Sequence, residues 1–420
     1  MNKPFRRQQW KMLLLTMACY LFFYTGRHNF GWAAQGMATE FDVPFATIGW
    51  ISFAMLVGYA VGQLVNGNLA DRFSARLMVP LGAYLSIGAN IAISFAESLE
   101  MVMVLWALNG FFQSMAWAPG GKIISNWWGK EEKGKAFGFY TMAAGLSSVV
   151  TYLLSIVILH QDLEWRMLFR LPVLLLLITA TLFLVLIKDK PSDLGFPNPD
   201  EADAAASTGR DSRTWQDRYR MVLRNRSFLL VTLAFAFESM ARYGFIFWVP
   251  VHYLGTNWKD NPHNLWVTFL LPVGMAAGAV SFGSLSDGLF QRNRIASIRV
   301  GMLASAAIAL VIYFAPAGNM ALQSIVMLLA GFFVYGPQAN FWTLCPEMLG
   351  NERTGTGIGL MNMTGYLFAA LGEPLFGKLI DITGNSAYIF LAIACICVLS
   401  GVIISTVNPS ARPGNLAISA

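Results

Sequence analysis

Two arginines, Arg27 and Arg242, lie near the middle of long apolar segments, where a charged side chain is costly to bury. A guanidinium is a planar fork of hydrogen-bond donors that matches the oxygens of phosphate, sulfonate and carboxylate groups. Two guanidinium groups that face each other in an apolar place repel unless an anion lies between them. We therefore predict that Arg27 and Arg242 bind a small anion.

Two carboxylates are candidates for ion coupling. Glu238 precedes Arg242 by four residues, so both side chains lie on one face of a helix. Glu238 either neutralises Arg242 in the empty state or carries a coupling proton, and a permanent structural pair is an equal alternative. Glu373 lies deep in a later apolar segment and is the second coupling candidate. His28 points about 100° away from Arg27 around a helix, which favours a packing role.

The elements that carry these residues are predicted to be membrane-spanning helices. Of the 420 residues, 56% are hydrophobic and only 12% are charged, and the mean hydropathy is +0.53. A soluble domain contains about 25% charged residues, and a spanning helix needs about 20 mostly apolar ones. The apolar segments predict twelve spans, at 11–35, 45–69, 76–95, 100–126, 132–159, 166–187, 227–254, 263–285, 295–315, 320–346, 353–380 and 384–406.

The net charge of +6 is distributed in a way that argues against nucleic-acid binding. Lysine and arginine are concentrated at the two termini, in the central loop and in alternate connections. The opposite set of connections carries only Lys259. This is the positive-inside pattern of a multi-pass membrane protein. It predicts a protein of the cell (inner) membrane with both termini in the cytoplasm.

The chain contains an internal duplication. The segment 67–76, GNLADRFSAR, recurs as 283–292, GSLSDGLFQR, at an offset of 216 residues. GFFQ at 110–113 recurs as GFFV at 331–334, and Arg242 follows Arg27 by 215 positions. Three matches at nearly one spacing indicate a six-plus-six arrangement, which is the parallel repeat of major facilitator transporters.

The duplicated loop motif has a physical interpretation of its own. Its glycine is predicted to let two helices approach closely, and its aspartate to cap or pair with a neighbouring helix end. Such a charged contact can hold one gate state and release in the other. We predict gating roles for the four charged residues of the motif, Asp71, Arg72, Arg76 and Asp287.

The predicted fold is therefore an all-α membrane protein with the major facilitator fold, twelve transmembrane helices in two pseudo-symmetric six-helix bundles. The N-terminal bundle is predicted at 1–187, a cytoplasmic linker at 188–226, the C-terminal bundle at 227–406 and a cytoplasmic tail at 407–420. A short amphipathic helix is predicted in the linker near Trp215–Val222.

Four stretches resemble the organophosphate:phosphate antiporter family of that superfamily, whose members include glycerol-3-phosphate and hexose-phosphate exchangers. They are YTGRHNF at 24–30, WW at 127–128, RYG at 242–244 and GFFVYGP at 331–337. The resemblance covers nearly the whole chain and implies that Arg27 and Arg242 bind a phosphoryl group. It also implies a lining of tyrosines, at Tyr20, Tyr24, Tyr59, Tyr335 and Tyr366.

The chain departs from that family at positions that matter for charge. Gln63 aligns with a lysine of the bacterial glycerol-phosphate exchangers and Ala144 with a histidine. His28 and Phe247 replace a lysine and an aspartate of their charge network. Two arginines together with one carboxylate, Glu238, make a less positive site than that of the family. A doubly charged anion in a medium of low dielectric constant needs more positive charge nearby to offset its desolvation.

Three functions stay open at this point. The first is an antiporter of an organophosphate or a related phosphonate or sulfonate, working by alternating access. The second is a proton-coupled symporter of an organic anion such as a carboxylate or sulfonate, and the third is a non-transporting membrane sensor of sugar phosphates. We expect no enzymatic activity, cofactor, metal site or nucleic-acid partner. We expect a monomer that lies in the lipid bilayer. Its expected partner is a small anionic substrate.

Overall fold

The computed structural model describes residues 3–199, 215–255, 264–291, 293–314, 320–349 and 354–407, and no strand occurs among them. Short 3-10 turns lie at Tyr24–Gly26 and Pro191–Leu194. The α-helices are α1 (Lys3–Phe23), α2 (Phe30–Glu40), α3 (Phe45–Arg72), α4 (Ala75–Ile93), α5 (Leu99–Gln113), α6 (Trp117–Trp127), α7 (Lys130–His160), α8 (Met167–Arg170), α9 (Pro172–Leu186), α10 (Trp215–Arg224), α11 (Arg226–Tyr253), α12 (Asn264–Thr268), α13 (Leu270–Gly288), α14 (Arg294–Phe314), α15 (Met320–Tyr335), α16 (Gln338–Leu349), α17 (Thr354–Thr383) and α18 (Tyr388–Ser405).

Ten helical segments in the described part of the chain are long and apolar enough to cross a membrane. They coincide with ten of the twelve predicted spans. The other two spans, the first and the eleventh, correspond to α1 with α2 and to α17. In the predicted linker, α10 (Trp215–Arg224) occupies the place expected for a short helix.

The first span corrects one expectation. The sequence predicts a continuous helix over 11–35, but α1 ends at Phe23 and α2 begins at Phe30. Between them lies the Tyr24–Gly26 turn, and Arg27 has φ −133° and ψ −52°, outside the helical region. Its counterpart Arg242 lies within an uninterrupted helix, α11. The two repeats therefore differ where their arginines are placed.

The chain divides into two compact units. One comprises Met1–Val43 and Trp50–Arg210, and the other comprises Pro44–Gly49 and Asp211–Ala420. The division falls inside the predicted linker 188–226. The predicted tail 407–420 lies outside the described residues apart from Val407.

Glycine pairs bring equivalent helices into close contact in each unit. In the first unit a Cβ added to Gly58 would collide with the backbone of Ala107, and one added to Gly110 would lie 2.9 Å from the backbone nitrogen of Tyr59. In the second unit Gly274 and Gly331 pack in the same way. A Cβ on Gly331 would lie 2.8 Å from the backbone nitrogen of Met275. Small residues permit this approach of helix backbones in membranes.

The loop-motif glycines do not act in this way, which corrects the expectation for them. A Cβ on Gly67 or Gly283 would meet nothing within 4 Å among the described residues. Close helix approach therefore depends on Gly58, Gly110 and their counterparts in the second unit.

We predict that Gly110→Ala lowers the free energy of unfolding by about 1–3 kcal/mol, because the new methyl meets backbone atoms that cannot rotate away. The measurement is thermal unfolding of the purified protein in detergent. Gly88→Ala is the matched control, since its Cβ would face open space. Equal melting temperatures for the two variants would contradict the prediction.

Candidate functional site

In the first unit, Arg27 lies against two tyrosine rings. Its guanidinium carbon is 4.4 Å from the centroid of the Tyr59 ring and 5.4 Å from that of Tyr24. The residue is 5% exposed. A guanidinium over an aromatic face gains a cation–π attraction that grows when water is excluded. This contact holds the guanidinium against the two rings.

Tyr20 extends this aromatic group. Its hydroxyl lies 3.1 Å from that of Tyr24, and its ring centroid lies 4.7 Å from that of Tyr140. Tyr140 in turn stacks on Trp117 and donates a hydrogen bond to the carbonyl of Ala116 at 3.1 Å. The structure thus brings together the tyrosines that the family resemblance suggests in this half. Sequence reasoning missed Tyr140, which no motif distinguishes from a packing residue.

His28 packs against this group, because its ring centroid lies 4.9 Å from that of Tyr24. Its Nδ1 lies 2.9 Å from the Ser148 hydroxyl on α7. Gln63 lies one helical turn beyond Tyr59, and its buried Nε2 has no hydrogen-bond partner among the described residues. A neutral donor therefore stands where the family resemblance places a lysine. Ala144 packs against the apolar core of this unit.

In the second unit, Arg242 is paired within its own helix. Its Nε lies 3.3 Å from Oε1 of Glu238, whose side chain is fully buried. Ser239 joins the two, because its hydroxyl donates to Glu238 at 3.2 Å and accepts from Arg242 at 3.5 Å. The expected i, i+4 neighbourhood is therefore present as an ion pair. Removing one partner of such a buried pair strongly destabilises a protein, because the other charge stays buried without a partner.

Three tyrosines surround Arg242. Its guanidinium carbon lies 4.7 Å from the ring centroid of Tyr243 and 5.6 Å from that of Tyr335. The Tyr366 ring centroid lies 5.9 Å from that of Tyr243. Sequence reasoning selected Tyr335 and Tyr366 but missed Tyr243. Its position directly after Arg242 was the available signal, although neighbours in sequence point about 100° apart on a helix.

Glu373 lies apart from this pair. It is 1% exposed, and the indole nitrogen of Trp248 donates a hydrogen bond to its Oε2 at 3.0 Å. Trp248 belongs to α11 and Glu373 to α17, so this bond joins two helices of the second unit. No salt bridge to Glu373 occurs among the residues that the structure describes.

The charged residues of the repeated loop motif make different contacts. Asp287 pairs with Arg294 at 2.6 Å, and Arg294 also lies 3.6 Å from Glu347, so the ends of α13, α14 and α16 meet. In the first unit, the backbone nitrogen of Arg76 donates to Asp189 at 2.9 Å. The Arg76 side chain also donates to the carbonyl of Leu184. The side chains of Asp71 and Arg72 lie outside the described residues.

Over the described ranges, no three His, Cys, Asp or Glu side chains gather in an arrangement that could hold a metal ion. The polar groups near the two arginines include guanidinium nitrogens, phenolic hydroxyls and the carboxylate of Glu238. Guanidinium and hydroxyl donors suit an anionic oxygen ligand.

The family model for the Major Facilitator Superfamily matches residues 16–373. The chain belongs to that superfamily. The predicted fold, an all-helical membrane protein of the major facilitator type, is thereby confirmed. It is a multi-pass membrane protein and a transporter homologue.

Individual relatives agree with the resemblance found in the motifs. The chain is 24% identical over 409 residues to a glycerol-3-phosphate transporter of Bacillus subtilis, covering 94% of this chain and 92% of the relative. It is 26% identical over 410 residues to a phosphoglycerate transporter protein of Salmonella typhimurium, covering 94% and 88%. A membrane sensor protein of the same organism is 24% identical over 404 residues, covering 92% and 90%. The recognition of organophosphate:phosphate antiporter relatives is confirmed.

A solved structure agrees at the level of the fold. It is a bacterial homologue of the human lysosomal transporter Spinster in an inward-facing, unoccupied conformation. The TM-score is 0.76 at 16% identity, with 97% of this chain and 95% of that chain covered.

We predict that Asp287→Asn slows turnover more than it weakens substrate binding, because the lost ion pair joins the ends of α13 and α14 rather than touching a ligand. The Asp287 side chain is 53% exposed and Arg294 keeps its contact with Glu347, so the melting temperature should change little. The measurement is the rate of counterflow in proteoliposomes alongside equilibrium binding. An unchanged transport rate would contradict a gating role for Asp287.

Proposed function

We propose that this protein is a secondary active transporter that moves a small organic anion by alternating access, with Arg27 and Arg242 as the anion-binding groups. One observation supports the proposal most. Two arginines related by the internal repeat are both buried and both lie on tyrosine rings, at 4.4 Å from Tyr59 and 4.7 Å from Tyr243. Burying a charged side chain in an apolar interior costs free energy, and charged residues at such positions usually have a functional role.

The substrate class we propose is an organophosphate or a related phosphonate or sulfonate. A glycerol-3-phosphate transporter and a phosphoglycerate transporter protein are among the relatives, and both names specify a phosphate monoester. A guanidinium binds two oxygens of such a group through parallel hydrogen bonds. The tyrosines Tyr20, Tyr24 and Tyr59 are proposed to contribute to anion binding in the first unit, and Tyr335 and Tyr366 in the second, because phenolic hydroxyls both donate and accept.

Glu238 is proposed to compete with the substrate for Arg242. Its carboxylate already lies 3.3 Å from the guanidinium, so an arriving anion must displace it or share the cation. This internal carboxylate, together with the neutral Gln63, makes a singly charged anion a better fit than a fully ionised phosphate. Strict exchange for inorganic phosphate is therefore the less supported form of the proposal.

The Glu238–Arg242 pair also favours a second candidate, a proton-coupled organic-anion symporter. Protonation of Glu238 would free Arg242 for the substrate, which would couple the two flows. Glu373 is proposed as a secondary coupling group, buried against Trp248. Uptake that depends on a pH gradient, and loses that dependence in Glu238→Gln, would identify this mechanism.

Orientation and gating are part of the proposal. The asymmetry of basic residues favours the cell (inner) membrane with both termini in the cytoplasm. Asp71, Arg72, Arg76 and Asp287 are proposed to control the gates through helix-end contacts. A functional monomer is proposed, with two transporting halves separated by the 188–226 linker.

A sensor that binds a sugar phosphate without moving it is the third candidate, because a membrane sensor protein is among the relatives. Binding and flux separate it from a transporter. Saturable ligand binding by the purified protein, with no uptake or counterflow in sealed proteoliposomes, would identify a sensor.

We predict that a phosphate monoester stabilises the wild-type protein and fails to stabilise Arg27→Lys or Arg242→Lys, because lysine keeps the charge but loses the guanidinium fork. The measurement is thermal unfolding with inorganic phosphate, glycerol 3-phosphate, hexose 6-phosphate, 3-phosphoglycerate, a phosphonate, a sulfonate and a carboxylate. Transport in proteoliposomes should be lost in both variants.

The matched control is Arg170→Lys, an arginine of the first unit that bonds Ser94 rather than any residue of the proposed site. It should respond to ligand like the wild type. Normal uptake by either Arg27→Lys or Arg242→Lys would refute the substrate role of that arginine. Stabilisation by the sulfonate and carboxylate alone would move the substrate class away from organophosphates.

We predict that Glu238→Gln lowers the stability of the empty protein by about 3–5 kcal/mol and binds the substrate anion more tightly, because Arg242 loses its internal partner. The measurement is the difference in melting temperature with and without the stabilising anion, which should widen. Glu373→Gln is the matched control, since Glu373 is equally buried but bonds Trp248 rather than an arginine. Weaker anion binding by Glu238→Gln would show that Glu238 aids substrate binding instead of competing with it.

A further inference from the structure

A cluster of buried amide side chains surrounds the break that precedes Arg27. Its members are Asn90 on α4 and Asn109 and Gln113 on α5, which are 0%, 0% and 4% exposed. All three direct amide nitrogens to the backbone carbonyl of Gly26, at 3.2 Å from Asn90, 2.8 Å from Asn109 and 3.2 Å from Gln113. We call these three residues the amide cluster.

The Gln113 contact explains how the helix is kept open. In a continuous helix the N–H of Arg27 would donate to the carbonyl of Phe23, four residues earlier. Here that N–H donates to Tyr24 instead, at 3.0 Å. The carbonyl of Phe23 accepts from Gln113 Nε2 at 2.8 Å. The side chain of Gln113 therefore occupies the hydrogen-bond position that the Arg27 backbone would take in a helix.

Hydrogen bonds connect the members of the cluster to each other and, through Asn29, to a second interruption of helical hydrogen bonding at Leu168. Ser86 donates to the Asn109 oxygen at 2.6 Å, and Gln113 donates to Ser86 at 3.1 Å. Asn29 donates to the Asn90 oxygen at 3.2 Å and to the carbonyl of Leu168 at 2.9 Å. Leu168 lacks its usual helical donor because the residue four positions later is Pro172, which has no N–H.

The internal repeat shows that the cluster belongs only to the half with the broken helix. At the offset of 221 residues, Asn109 corresponds to Ala330 and Gln113 to Val334, which have no amide to donate. The partner helix in that half, α11, passes through Arg242 without a break. The amide side chains are therefore present in the half where the helix break leaves backbone carbonyls without helical donors. They are absent at the equivalent positions of the half whose helix is continuous.

We propose that Asn90, Asn109 and Gln113 are positioning residues that hold the Tyr24–Gly26 turn open and so place Arg27 for anion binding. An unsatisfied carbonyl in an apolar interior is costly, so the broken conformation depends on these donors. Without these donors, a continuous helix through residues 24–26 has the lower free energy, because it satisfies the carbonyls with backbone N–H groups. Forming that helix turns Arg27 away from Tyr59. The inference rests on the proposed anion-binding function, because one of its two tests measures the affinity for an anion.

The test uses two variants that match the lost side chains in size, Gln113→Met and Asn109→Leu. The probe is the phosphate monoester, phosphonate or sulfonate that most stabilises the wild-type protein. We expect its dissociation constant to rise about tenfold in each variant, equivalent to about 1.4 kcal/mol. Each variant removes a different donor to the Gly26 carbonyl, so one well-folded variant is sufficient.

Asn66→Leu is the matched control. Asn66 is a fully buried amide of the same unit, but it donates to Ser114 at 2.6 Å and to Phe111 at 3.2 Å, not to the turn. Its loss should lower the melting temperature without changing the dissociation constant. Equal losses of affinity in Asn66→Leu and Gln113→Met would reduce the amide cluster to a general structural role and overturn the proposal.

A second readout is independent of any substrate. Phenylglyoxal modifies arginine, and mass spectrometry can compare Arg27 with Arg242 in the same molecule. Because Arg27 is only 5% exposed, its displacement in Gln113→Met should raise the ratio of Arg27 to Arg242 labelling. An unchanged ratio would overturn the positioning role. Wild-type affinity in Arg27→Ala, together with a raised labelling ratio in Gln113→Met, would instead refute the anion-binding function and leave the positioning role intact.

Discussion

The structure depends on one constraint, that polar and charged groups inside an apolar environment must find partners within the protein. Continuous helices meet this requirement with their own backbone bonds, and most of the chain follows that solution. Where a helix is interrupted, side chains supply the missing donors, as Gln113 does for Phe23 and Asn29 does for Leu168. The arginines obey the same rule through tyrosine rings and, for Arg242, through Glu238. Other buried polar side chains, mostly serine and threonine, are spread over most of the helices.

The two halves share their frame and differ in their polar chemistry. Gly58 with Gly110 and Gly274 with Gly331 pack equivalent helices at matching positions of the repeat. The arginines also match, yet Arg27 follows a turn braced by amides whereas Arg242 lies in a continuous helix with a carboxylate on its own face. Duplication conserves the packing because backbone contact tolerates little change. The surroundings of each cation have diverged, so the two arginines have different partners and different structural supports.

The charge balance bears on the kind of anion that the proposed site would accept. A guanidinium already paired with Glu238 has less to offer a doubly charged ligand than an unpaired one, and Gln63 contributes a neutral donor. Relatives named for phosphate esters favour a phosphoryl group, whereas the internal carboxylate favours a lower ligand charge or an accompanying proton. These two tendencies are reconciled by a monoanionic ester, a phosphonate or a sulfonate. The same carboxylate would then serve both as a stand-in for the ligand and as the group that links binding to protons.

Sequence alone determined the membrane class, the positions of the spans and the two arginines that lie within them, because apolar length and a repeated spacing are local properties of the chain. It also located the Glu238–Arg242 pair, which needs only helical periodicity. Only the tertiary structure decided that the first helix breaks at Tyr24–Gly26, that Gln113 satisfies the carbonyl of Phe23, and that Glu373 bonds Trp248. These contacts join residues 90 and 125 positions apart. No local pattern encodes them, since a buried glutamine or glutamate has the same sequence signature whether it packs, binds or braces a neighbouring helix.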